Sequence, residues 1–212
     1  MTDKYQNKYR IPSARLQNWD YGANGAYFIT ICTHNREHYF GEIINGEMIL
    51  NELGRIVETE WMKTIEIRPD MNLEFGEFVV MPNHFHAIII IGKNEYNTQC
   101  DAQRTTYRRD AHCTDAMHRV STIHNAQRTD AMHRVSTIES INKFGPQSKN
   151  LASIIRGFKS AVTTNARKIH ADFAWQFRFH DHIIRNTDEF NRIQTYIANN
   201  PQNWDNDKFH GK

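Results

Sequence analysis

The segment Leu73–Ile91 constrains this chain more than any other. Leu73 to Met81 carries aromatic and β-branched residues, Pro82-Asn83 supplies a tight connection, and His84 to Ile91 follows as a second strand-like run. Two such runs around a two-residue joint pair as an antiparallel hairpin. Side chains alternate between the faces of a strand. His84 and His86 therefore project together from one face, with Ile88 and Ile90 after them, while Phe85 points into the opposite layer.

The remaining elements fall around that hairpin. Ala26 to Cys32 is aromatic and β-branched, hence a strand, with Asn24-Gly25 as the turn before it. Between Met48 and Ile67, Leu50, Leu53, Ile56, Val57, Trp61 and Ile65 recur at helical spacing, and Arg68-Pro69-Asp70 ends the run. Leu151 to Ile169 shows a second amphipathic helix through Ile154, Ile155, Phe158 and Val162. Phe173 to Phe179 is aromatic enough for a short strand. Asn186-Thr187 then caps a last helix, with Asp188 and Glu189 in its first turn and Pro201 stopping it after Asn200. This order predicts an α+β fold, a ferredoxin-like antiparallel sheet with helices on one face.

One catalytic-type domain over residues 21–204 is expected. A basic arm precedes it at 1–20 (Lys4, Lys8, Arg10 and Arg15 against Asp3), and a tail follows at 205–212. An insertion interrupts it at about 95–148, where Asn, Gln, Thr, Arg and Asp replace apolar residues. The string DAMHRVSTI stands at 115–123 and again at 130–138. Two copies are too few for a solenoid. The expectation is a mobile surface loop whose histidines (His112, His118, His124, His133) came with the copied sequence.

Composition serves mainly to exclude. The three cysteines show no CxxC spacing and are odd in number, against a disulfide framework or a zinc ribbon. The longest apolar run, Ala87–Ile91, is too short for a bilayer, and Met1–Arg10 has no apolar core of a secretory leader. A cytoplasmic protein with no membrane partner is expected. A net charge of +2 neither demands nor forbids nucleic acid. No GxxxxGK[ST] loop is present, so ATP-driven chemistry is not indicated.

Two imidazoles at i and i+2 of a strand can grip one divalent cation. Without a cysteine partner this is no structural zinc site, and an oxygen-rich remainder suits Mg2+ or Mn2+. Two hydrogen-bonded histidines at a sheet edge give the same pattern, and the residues leave both readings open. Tyr196 and Asn200 stand one helical turn apart on one face. A phenol is a weak nucleophile until activated. A tyrosine lying on the sheet and an asparagine capping a helix before Pro201 would look the same.

The stretch VVMPNHFHAIIII (79–91) resembles the signature of HUH endonucleases, named for two histidines around a hydrophobic residue. Residues 173–204 resemble the C-terminal part of single-tyrosine transposases, closest to the REP-associated tyrosine transposases, in which the nucleophile stands as Tyr-x-x-x-Asn-Pro; here that is Tyr196 to Pro201. Residues 21–43 and 154–163 also resemble blocks of that family. The broader transposase family carries Gln where this chain has Asn200. The resemblance implies a transposase-type endonuclease and strand transferase acting on single-stranded or hairpin DNA. Its intermediate would be a 5′-phosphotyrosine on Tyr196, and its cation would be held by His84, His86 and Asn200. Arg156, Lys159 and Arg185 are candidates for phosphate contacts and Trp175 for base stacking. The implied location is the bacterial cytoplasm, on the nucleoid when DNA is bound. Relatives include both dimers and monomers, so oligomeric state stays open. The alternative is a non-cleaving hairpin DNA-binding protein derived from a transposase.

Overall fold

The computed structural model describes residues 4–5, 8–9, 16, 19–98 and 148–210. In chain order the main elements are β1 (Gly25–Cys32), β2 (Gly41–Ile44), β3 (Glu47–Leu50), α1 (Glu52–Glu66), β4 (Leu73–Met81), β5 (His84–Ile91), α2 (Leu151–Ala166), β6 (His180–Ile184) and α3 (Thr187–Ala198). Four strands form one sheet in the order β4-β5-β1-β6, every pair antiparallel. Leaving aside the small β2–β3 hairpin, the sequence β-α-β-β-α-β in this order is the ferredoxin-like arrangement. The expected α+β class stands.

The sheet is apolar on both faces at its centre. Tyr27, Ile29 and Ile31 of β1 and Phe85, Ala87, Ile89 and Ile91 of β5 are buried in one core under α1 and α2, with Trp61, Phe158 and Val162. On the other face, Ile88 is fully buried with Ile193 and Ile197 of α3, and Phe28, Ile90 and Phe190 pack around them. Helices on one face were expected; α1 and α2 take that place, while α3 lies across the opposite face. Ile88, Ile90 and Phe28 are the reason, because three large apolar groups on the second face need cover. Gly76 marks where β4 and β5 shift register, between Phe75 and Phe78. A Cβ there would stand 2.9 Å from Cβ of Ile88, so a bare backbone is required for that approach.

Three element boundaries differ from expectation. The helix assigned from Met48 starts only at Glu52, because Glu47–Leu50 is a strand and Asn51 caps the helix through its side chain, accepting from the Gly54 amide at 3.0 Å. Asn45 (φ 53°) and Gly46 (φ 78°) form the hairpin turn that sets β3 apart. The short strand expected at Phe173–Phe179 is a single bridge between Thr33 and Trp175, and the edge strand proper is His180–Ile184. The expected tail is folded down: Pro201–Asn206 makes a 3-10 helix, and Trp204 and Phe209 are buried.

Most of the expected insertion, with its repeats and histidines, lies outside the described residues. Its flanks meet at one place. Lys149 sits over the Tyr96 ring at 4.7 Å and pairs with Asp70. Asn97 donates to the Gly22 carbonyl and Leu151 to the Tyr21 carbonyl. This is the Ile91 end of β5, roughly 20 Å along the strand from the histidines. Among the described residues no helix is long and apolar enough to cross a membrane.

Candidate active site

β5 carries the two histidines side by side, their rings 4.5 Å apart between centroids. His84 is fully buried and His86 nearly so. Each ring is held from behind. Asn83 donates through Nδ2 to the carbonyls of Arg36 (3.1 Å) and Phe209 (2.9 Å), which turns its Oδ1 toward His84 Nδ1 at 2.8 Å. That oxygen can only accept, so the proton of His84 stands on Nδ1 and its Nε2 presents a lone pair. Thr30, opposite His86 on β1, meets His86 Nδ1 through its hydroxyl at 2.9 Å. His86 Nε2 then faces the Tyr196 hydroxyl across 3.3 Å.

The last helix and the folded-down tail close the arrangement. Tyr196 lies on α3 with its ring edge-on to Phe28 and 42% of its surface exposed. Asn200, one turn later, is buried; its Nδ2 donates to Asp207 Oδ2 at 3.2 Å. Asp207 Oδ1 accepts from the Phe209 amide at 2.7 Å. The Phe209 ring covers His84 at 4.6 Å between centroids. Donor atoms of His84, His86 and Asp207 all lie within 4.8 Å of one another, a group that can hold a metal ion. Two atoms there, His84 Nε2 of the group and Asn200 Oδ1 beside it, are buried without a hydrogen-bond partner among the described residues. A buried lone pair left unpaired costs on the order of 1–3 kcal/mol, and a cation bound between these atoms would offset it. The donor set of two imidazoles with carboxylate and amide oxygens suits a divalent ion.

Burial, reinforced by the nearby Lys208 charge, holds the His84 imidazole down to about 3. His86 is also held well below the ordinary range, first by burial and then by His84. Both rings are therefore neutral at pH 7, the form that ligates metals. Burial and then Asp207 raise the Tyr196 phenol above its ordinary 10, so it stays protonated until something assists it. A pH effect follows. The unfolded chain takes up these protons below about pH 6.5, whereas folded His84 refuses its proton until about 3. Stability is thus complete above pH 6.5 and falls as pH drops, by about 1.4 kcal/mol per unit for each histidine. Urea unfolding at pH 7 and pH 5 checks it: the metal-free wild type should lose more stability than a His84→Ala/His86→Ala variant. Equal losses would remove the two histidines from the account.

Among the residues singled out in the sequence, His84, His86, Tyr196 and Asn200 are brought together. The four assigned to DNA contacts are not. Arg156 and Lys159 stand on α2, across the sheet from the histidines, and Lys159 donates to the backbone carbonyl of Gln176 at 2.6 Å. Arg185 follows β6 at the remote end of the sheet. Trp175 is largely buried among Phe40, Phe158 and Phe173. Thr30, Asn83, Asp207 and Phe209 escaped the sequence reading. Trp204 and Phe209, two large apolar groups in a polar tail, are the signal that could have shown the tail to be docked.

Fold and site together define a class: a ferredoxin-like α+β protein with two buried imidazoles, a tyrosine and an acid-amide pair at one end of its sheet. No family profile matches the chain. An uncharacterized protein of Haemophilus influenzae (strain Rd) is 33% identical over 215 residues, covering 99% of each chain, and this protein belongs to the same family. Among solved structures, one of a REP-associated tyrosine transposase bound to a REP hairpin has a TM-score of 0.49 and 17% identity, with 91% of this chain and 74% of that chain covered.

Proposed function

We propose that this protein is a metal-dependent tyrosine nuclease and strand transferase of single-stranded DNA, a transposase-type enzyme acting on strands that carry hairpins. The observation that carries the reading is the approach of the Tyr196 hydroxyl to His86 Nε2 beside an unpartnered His84 Nε2. The Tyr-x-x-x-Asn-Pro and His-Phe-His motifs support it from the sequence side. His84 and His86, with Asn200 Oδ1 or Asp207, would hold the cation, Mg2+ or Mn2+. Bound there, a divalent ion neutralises charge on a phosphodiester.

The chain's own residues account for the rest. Thr30 and Asn83 fix the imidazole rings, so the lone pairs point inward. Tyr196 lies on a helix packed to the sheet, which limits the reorganisation needed for attack. Its oxygen forms the bond to phosphorus while the bond from phosphorus to the 3′-oxygen breaks. The phenol proton leaves to solvent, to which the Tyr196 side chain is partly open, because the inward lone pair of His86 is committed to the cation, and the departing 3′-oxygen takes a proton from solvent to become a hydroxyl. The product is a 5′-phosphotyrosine, whose ester energy lets a 3′-hydroxyl reverse the step and rejoin strands without ATP. Incubation with 5′- and 3′-labelled hairpin strands and Mn2+, followed by a denaturing gel, should give an adduct carrying only the 3′-side label. Cleavage that yields a free 5′-phosphate and no adduct would overturn the reading.

A further inference from the structure

Among the described residues, Phe177 stands apart from every other large apolar side chain: it is 95% exposed. Nothing about the backbone before it is loose. Thr33 bridges Trp175, the His34 amide donates to the Ala174 carbonyl at 2.8 Å, and the Gln176 amide donates to the Cys32 carbonyl at 2.9 Å. Lys159 adds an ammonium bond to the Gln176 carbonyl at 2.6 Å and reaches the Phe177 carbonyl at 3.4 Å. The main chain is pinned on both sides while the ring is left in water. Trp175, two residues earlier, is buried by the same pinning.

A groove runs on each side of the ring. Lys159, Thr163 and Arg167 line one; His34, Asn35 and Arg36 line the other. Among the described residues, neither is lined by a carboxylate. Asn35 (φ 52°) and Arg36 (φ 59°) hold left-handed backbone in the second wall, a conformation that Asn adopts readily and Arg seldom does. An aromatic face between two basic walls suits a strand that alternates flat apolar bases with anionic phosphates. The position suits it too. Gln176 lies beside Cys32, and Cys32 pairs across from His84, so the segment is two strand spacings, roughly 10 Å, from the histidines.

We propose that Phe177 is the platform on which an unpaired base of the substrate stacks, with the neighbouring phosphates taken by Arg167 and Arg36 in the two grooves, Lys159 serving to hold the segment. This rests on the reading of single-stranded DNA as substrate. It transfers to Phe177 the role that the sequence suggested for Trp175.

The test compares wild type, Phe177→Ala and Phe177→Tyr on hairpin oligonucleotides with single-stranded flanks, 2-aminopurine being placed at successive flank positions. Affinity and fluorescence are read at one fixed salt concentration, because phosphate contacts are salt-sensitive. Phe177→Ala should bind roughly 5- to 150-fold more weakly, the range expected for loss of one base–aromatic stack. It should also lose the quenching at one flank position, whereas Phe177→Tyr keeps both affinity and quenching. Melting temperatures should match, since the ring is exposed. If wild type forms the Tyr196 adduct and Phe177→Ala binds as tightly, the platform falls and the nuclease stands. If wild type neither binds nor links to any strand, both fall. A concentration-dependent dimer that disappears in Phe177→Ala, with DNA affinity unchanged, would give the ring to a second copy of this chain and overturn the proposal.

Discussion

Replacing Tyr196 by Phe should abolish the protein–DNA adduct while leaving DNA binding and folding intact. The change removes one oxygen. The ring keeps its edge contact with Phe28, and α3 keeps Ile193 and Ile197 in the core. The lost hydroxyl meets His86 across a long 3.3 Å contact at a half-exposed position, so the stability change should stay near or below about 1 kcal/mol. Loss of the nucleophile is another matter: removing such a group costs on the order of 10³-fold or more in rate. The adduct band on a denaturing gel should vanish, and oligonucleotide affinity should stay within about twofold. An adduct of undiminished yield would exclude Tyr196 as the attacking group.

The second large effect is expected from His84→Ala combined with His86→Ala. Both rings are buried and both are neutral, and no other imidazole among the described residues stands at this spot to replace their two lone pairs. Metal-dependent cleavage should drop below detection. A separate readout guards against a merely unfolded protein. Manganese should raise the wild-type melting temperature in a concentration-dependent way, since an ion that binds only the folded state stabilises it by mass action. The variant should melt cooperatively, with no response to manganese. Truncating two buried rings leaves cavities costing a few kcal/mol, so His86→Gln, closer in volume, serves as the gentler companion. Cleavage that persists at the wild-type rate would remove the histidines from the chemistry.

How far the sequence foretold this site depends on which forces set each part. The β4–β5 hairpin and the histidine face were legible because strand alternation is local and the turn is only two residues. Helix α3 was legible through its Asn186 cap and Pro201 stop. The β2–β3 hairpin was missed although Asn45-Gly46 is a strong turn signal, because the Met48–Leu50 pattern ran on smoothly into helical spacing. Strand β6 was missed because His180, Asp181 and His182 are polar; an edge strand needs little apolar surface, and its pairing with β1 is a long-range matter. The fates of Trp175 and Phe177 were beyond local pattern altogether. Both are large aromatics in one stretch, and a single bridge to Thr33 decides which one is buried. Asp207 was out of reach for the same reason: only docking of Trp204 and Phe209 brings it to Asn200.

Strand β1 joins parts of the chain that lie far apart in sequence. Thr30 meets His86 on one neighbour and His180 on the other. Chains emerge from the ribosome N-terminus first, at some 5–20 residues per second. A growing chain can therefore form β1, α1 and the histidine hairpin early, while the tyrosine, the amide and the carboxylate are still to be synthesised. On the proposed function, a product that stops before Thr187 keeps His84 and His86 but lacks Tyr196, Asn200 and Asp207, and should form no adduct with DNA.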